Sequence, residues 1–132
     1  MSDSLVQVRP AEYGAVAQAM TAAVRGQWTF READVARAQA AWSCQGAYAL
    51  LGEFPGQPAC LRLQLAGSPQ PLTALLRAAG QAVPRHARLL AVVREDWAEQ
   101  RAALEGAGWR QTWASWGRIW TWAASTISRL NP

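Results

Sequence analysis

Between its third helix-like run and its end the chain reads Asp96-Trp97-Ala98-Glu99-Gln100-Arg101-Ala102-Ala103-Leu104-Glu105-Gly106-Ala107-Gly108-Trp109. Asp96 and Glu99 stand at the spacing of a capping-box-like start, where side chains take up the backbone N–H groups that the first helical turn leaves unbonded. Gly106 to Gly108 then tolerate the positive φ at which helices end, so the segment predicts one helix that stops before an aromatic residue.

Upstream, Leu89-Leu90-Ala91-Val92-Val93 has no polar interruption, as expected of a central strand covered on both faces. Before it, Leu72, Leu75, Leu76, Ala79 and Val83 recur at helical spacing until Pro84 ends the run. Strand, crossover helix and strand in that order imply a parallel pair connected right-handedly. The earlier strand of that pair is Ala59 to Ala66, joined to Ala47 to Phe54 through the turn Pro55-Gly56-Gln57-Pro58. Within it Arg62 and Gln64 alternate with Leu61, Leu63 and Leu65, so one face is apolar and the other meets polar groups.

Near the amino end, Leu5, Val6 and Val8 predict a short strand, and Pro10 suits the first turn of a helix running to about Val24. Val16, Ala19, Met20, Ala23 and Val24 give that helix one apolar face. Thr29 and Glu32 are spaced as a capping box, and Val35, Ala38 and Trp42 would supply the buried stripe of a second short helix. Downstream, Trp109 to Trp116 and Arg118 to Trp122 flank Gly117 as a tryptophan-rich hairpin, with residues 123–132 as a tail.

The chain has 132 residues, 51% of them hydrophobic, which suits one domain spanning 1–132 with a sizeable core. Met1 to Pro10 carries Asp3 rather than a basic run, and no stretch approaches the roughly 18 apolar residues that span a bilayer. The expectation is a cytoplasmic protein with no membrane partner. Cys44 and Cys60 have neither a partner two residues away nor histidines at metal-ligand spacing, so the reading is two ordinary thiols and no metal. The net charge of +4 comes from arginines without a single lysine, and they are scattered. That pattern describes a solvated surface better than a groove tracking a nucleic-acid backbone.

The order strand, two helices, hairpin, helix, central strand, helix, terminal hairpin resembles the GNAT superfamily of N-acetyltransferases from Val6 to Trp122. Ala102 to Trp109 looks like the family's helix that ends in a glycine and an aromatic residue, and Val8-Arg9-Pro10-Ala11 resembles its opening. The resemblance implies an α/β (α+β) fold: a mixed, mainly antiparallel sheet flanked by about four helices, with a central parallel strand pair. It also implies acetyl-CoA as cofactor and a small amine or a protein amine as acceptor. Cofactor-binding positions would be Leu65, Ala66, Gly67, Ser68, Gln70, Leu72 and Thr73.

Three departures bear on activity. The family's phosphate loop relies on spaced glycines and free backbone N–H groups, whereas Gly67-Ser68-Pro69-Gln70-Pro71-Leu72-Thr73 has one glycine and two prolines, each lacking a donor. The family's tyrosine, which protonates the leaving thiolate, would fall near Leu104, which cannot donate. The segment from Gly46 to Ser68 also holds one strand fewer than the family pattern, predicting a shortened sheet. Glu53 is the candidate catalytic residue, a general base if its carboxylate can take a proton from an ammonium; a solvated turn carboxylate is the competing reading.

His86 is the single histidine, so neither a histidine metal pair nor a triad can be built without it, and a loop position between Arg85 and Arg88 suits an exposed side chain. Five of the eight tryptophans fall within residues 109–122, and Trp120 and Trp122 share a strand face. One such face is expected in the core; the remainder suits a partner surface. Two functions therefore stand: an acyl-CoA-dependent N-acetyltransferase, or a non-catalytic module that dimerises or holds a protein through its tryptophan hairpin. A single-stranded nucleic acid, stacked on tryptophan, ranks third.

Overall fold

The computed structural model describes residues 6–26, 28–54, 57–83, 88–115 and 119–124. Among these, seven strands form one sheet: β1 (Val6–Gln7), β2 (Ala40–Cys44), β3 (Ala47–Phe54), β4 (Gln57–Ala66), β5 (Arg88–Arg94), β6 (Arg110–Ser115) and β7 (Ile119–Ala123). Their spatial order is β1-β2-β3-β4-β5-β7-β6. Neighbours pair antiparallel except β4 and β5, which are parallel. The central parallel pair and the crossover helix between its strands match the reading from sequence.

Four α-helices cover the sheet: α1 (Tyr13–Ala23), entered through a 3₁₀ turn at Pro10–Glu12, α2 (Glu32–Arg37), α3 (Pro69–Ala82) and α4 (Ala98–Gly106). α1 and α2 lie on one face, where Val16, Ala17, Met20 and Val35 meet Leu50 and Ala66. α3 and α4 lie on the other, where Leu72, Leu75, Ala103 and Leu104 meet Ala49 and Leu63. Leu72, Leu75, Leu76 and Ala79 are all within 1% of complete burial, and a fully buried leucine stabilises by about 1.5–3 kcal/mol. That stripe holds α3 on the sheet.

The end of α4 follows from its glycines. Gly108 takes φ +83°, its N–H donates to the Glu105 carbonyl at 3.1 Å, and the Trp109 N–H donates to the Leu104 carbonyl at 2.9 Å. These two bonds make a Schellman closure, and Trp109 packs into the same cluster as Leu104. The chain therefore turns straight from α4 into β6.

Several expectations need correction. Ala40–Cys44 is not a continuation of α2 but a strand paired with β1 on one side and β3 on the other. Alanines and a tryptophan seven residues after Val35 imitate a helical stripe, yet Ala38 is already extended at φ −62°, ψ 141°, and Gln39 N–H donates to Leu51 O at 2.7 Å. Pairing on both edges outweighs a weak local helix preference. The sheet is consequently not short, because β2 supplies the strand that the sequence pattern lacks. Thr29 and Glu32 do not cap α2; the Arg31 N–H donates to Asp34 Oδ2 at 2.9 Å instead. Asp96 does not cap α4 either, being held by Arg94 at 3.0 and 3.1 Å, while Glu99 pairs with Arg25 across 3.7 Å. Residue 123 belongs to β7 rather than to the tail, and Ala124 N–H still donates to Leu89 O at 3.0 Å; residues 125–132 lie outside the described ones.

Candidate active site

β4 and β5 pair from Cys60 with Arg88 to Leu63 with Ala91 and no further. β4 nevertheless continues to Ala66, bonded only to β3, and β5 continues to Arg94, bonded to β7. Beyond Leu63 and Ala91 the two central strands therefore diverge, and their facing backbone edges do not bond each other. A ligand with amide groups could complete that ladder.

A cavity of about 100 Å³ opens at the divergence, mainly apolar and lined by Leu65, Val92, Val93 and the aromatic rings of Trp28, Phe30 and Trp97, with Arg62, Gln64 and Arg94 at its margins. Trp97 packs against both core clusters, which are otherwise separated by the sheet, so its ring stands at the end of the gap. The Trp97 backbone N–H donates to Arg94 O at 3.1 Å. Phe30 is fixed by Thr21, whose hydroxyl donates to Ala17 O at 2.9 Å and accepts the Phe30 N–H at 2.8 Å.

A second cavity, about 220 Å³, adjoins the first and lies beside α2. Arg62 and Gln64 line both. Leu61, Leu63 and Leu65 pack toward α3 and α4, so strand alternation turns Arg62 and Gln64 to the α1–α2 side. The rest of the second wall comes from Asp34, Arg37 and Ala38 of the α2 segment and from residues 50–53 of β3. Glu53 is exposed and stands on this wall at the end of β3, next to a bulge at Glu53/Phe54.

The loop after β4 is shaped by packing. Gly67 has φ +136°, and a Cβ there would lie 2.5 Å from Ala47 Cα, so its lack of a side chain is required by the start of β3. Ser68 is the extended N-cap residue of α3 and makes no side-chain capping bond. Pro69 and Pro71 are the first and third helical residues, and the Leu72 N–H is used by Ser68 O at 3.1 Å. Gln70, exposed, keeps the one backbone donor of the first three helical positions. Leu65, Ala66 and Leu72 are buried in the core and would meet a ligand only through their backbones; Thr73 is half-buried.

The sequence reading places the loop and Glu53 at opposite ends of β4 and passes over Arg62, Gln64, Trp28, Phe30, Trp97, Asp34 and Arg37. The polar alternation in β4 is the one signal that pointed at two of them. Leu104 is fully buried, and so are Trp109 and Trp122 at 5% and 3% exposure, which puts both tryptophans in this chain's own core rather than on a partner surface. The side chains of Trp113, Trp116 and Trp120, and residues Arg85 and His86, lie outside the described ones. Among the described residues no group of His, Cys, Asp and Glu could hold a metal ion, and no helix is long and apolar enough to cross a membrane.

No protein-family model and no curated protein sequence matches the chain. Solved structures do. The chain is similar to YncA from Salmonella typhimurium, a candidate acetyltransferase solved with its cofactor acetyl-CoA, at a TM-score of 0.66 and 15% identity over 93% of this chain and 91% of that one. It is also similar to an acetyltransferase from Thermus thermophilus, at a TM-score of 0.62 and 18% identity over 94% and 97% of the two chains. Strand order, the single parallel pair, the four helices and these two likenesses agree: the chain has a GNAT-type acetyltransferase fold.

Proposed function

We propose that this protein is an N-acyltransferase that takes an acetyl group from acetyl-CoA and passes it to an amine. The observation that supports this reading is the divergence of β4 and β5 beyond Leu63 and Ala91, with a cavity at the point where they part. Their unpaired edges suit the amide groups of a pantetheine arm, and the turn from Gly67 to Thr73 lies at the end of β4 where a pyrophosphate would follow. Leu65, Ala66 and Leu72 contribute backbone there, and Gly67, Ser68, Gln70 and Thr73 the remaining contacts.

In the reaction the acceptor nitrogen attacks the thioester carbonyl, a C–N bond forms, the C–S bond breaks, and coenzyme A leaves as thiolate. The ammonium proton passes to water or to Glu53, and the thiolate takes its proton from water, since Leu104 has none to give. Holding the two reactants side by side supplies most of the acceleration available to such a site. Cys44 and Cys60, both buried as thiols, support a reducing compartment and hence the cytoplasm.

Thermal denaturation with acetyl-CoA tests the reading. A ligand that binds only the folded chain stabilises it by about 2.7 kcal/mol at a hundred times its Kd, and release of the coenzyme A thiol in the presence of amines is expected. Absence of any stabilisation at millimolar acetyl-CoA overturns it. The second reading, a GNAT-fold module that binds without transfer, is favoured by Pro69 and Pro71, which strip two donors from the loop. It requires a partner or a second copy on the tryptophan hairpin at residues other than Trp122, which is in the core.

A further inference from the structure

A donor arm lying along the unpaired edges of β4 and β5 would enter beside Gly67 and end where the strands begin to pair, at Leu63 and Ala91. Its tip would then stand at the cavity of about 100 Å³. The described residues that line this cavity include no carboxylate, and Arg94 among them is already held by Asp96 at 3.0 and 3.1 Å. An ammonium finds no counter-charge there, so the space suits the acyl end of the donor and not the acceptor amine.

The walls are apolar on both sides of the sheet. Leu65 and Val93 belong to the cluster under α3 and α4, whereas strand alternation turns Val92 to the α1–α2 face, so the cavity runs through the gap between the strands. Three rings complete it. Phe30 is 5% exposed and tied to Thr21, Trp97 packs into both core clusters, and Trp28 is 52% exposed, offering a ring that an apolar ligand would cover. The single methyl of an acetyl group leaves most of this surface bare. A dry cavity of about 150 Å³ takes a benzene ring, and at the same density about 100 Å³ suits about four carbon atoms.

We propose that Trp28, Phe30 and Trp97 are specificity-determining residues for the donor, and that they make a butyryl-sized acyl group a better fit than acetyl. The inference rests on the transfer reading above. The bonds that change are those of the acetyl reaction, with the C–S bond of the thioester breaking as the C–N bond forms, and only the length of the carried chain differs.

Titration calorimetry of the full chain with coenzyme A, acetyl-CoA, butyryl-CoA and hexanoyl-CoA tests it without an acceptor. Each methylene taken out of water strengthens binding about fourfold, so butyryl-CoA is expected to bind roughly tenfold more tightly than acetyl-CoA, and hexanoyl-CoA, which outruns the space, no more tightly than butyryl-CoA. Val92→Phe, which fills the cavity from β5, is expected to bring the ratio of butyryl to acetyl affinity close to one. Should that variant lose its native circular dichroism, Trp28→Ala decides, because a ring already half in water can be removed without opening the core; it is expected to lower the ratio about threefold, for loss of part of the apolar contact. Equal affinity for acetyl-CoA and butyryl-CoA, a steady gain through hexanoyl-CoA, or a ratio unchanged in the variants overturns the acyl preference while leaving transfer standing. Absence of binding by all four compounds overturns both.

Discussion

Gly67 and Ala47 are packed backbone to backbone, so that a Cβ on Gly67 would lie 2.5 Å from Ala47 Cα and 2.6 Å from Ala47 Cβ. The glycine also holds φ +136°, a conformation L side chains rarely adopt. Gly67→Ala should therefore destabilise the fold by about 2–4 kcal/mol through combined strain and overpacking. Urea denaturation followed by circular dichroism measures this; a loss below about 0.5 kcal/mol would show that β3 gives way without cost.

Pro71 occupies the third position of α3, where a residue with an N–H could face an anion. Pro71→Ala restores that donor. A hydrogen bond to a charged group is worth about 1.5–3 kcal/mol when well aligned, so acetyl-CoA is expected to bind about 10- to 100-fold more tightly to the variant. Titration calorimetry checks it, and weaker binding would mean that the loop does not face the pyrophosphate.

Thr21 ties the wall of the apolar cavity to α1, because the Phe30 N–H donates to its hydroxyl at 2.8 Å. Thr21→Val keeps the shape and removes the acceptor, leaving a partly buried N–H unsatisfied at a cost of about 1–3 kcal/mol. Phe30 lines the cavity, so the same substitution should raise the KM for acetyl-CoA with less effect on kcat. Thermal melts and initial rates separate the two effects.

Glu53 is exposed on the rim of the second cavity, where water reaches the acceptor as readily as the carboxylate does. Proton transfer to a well-placed side chain contributes roughly 10²–10⁴-fold, and a group in free exchange with solvent contributes far less. Glu53→Gln is expected to lower kcat/KM by no more than about tenfold. A drop beyond a hundredfold in initial rates, with melting unchanged, would make Glu53 a positioned base.

What the residues determined by themselves were elements whose pattern agrees with their packing. α3 carries an unbroken apolar stripe, β5 an unbroken apolar run, and α4 its Gly108 stop, and in each case local chemistry and burial want the same thing. The single parallel pair followed from the order of those elements, and from it the family resemblance that the fold upholds. β2 was hidden because its alanines and Trp42 favour a helix in isolation, and only the two strand edges of β1 and β3 make it extended. The site was hidden for the same kind of reason. Its parts come from β3, β4, β5, α2 and the residues flanking α1 and α4, far apart in the chain, and converge only where β4 and β5 stop pairing after Leu63 and Ala91. The alternation of Arg62 and Gln64 with leucines was visible from the start; that those residues line cavities was decided by the helices packed across that face.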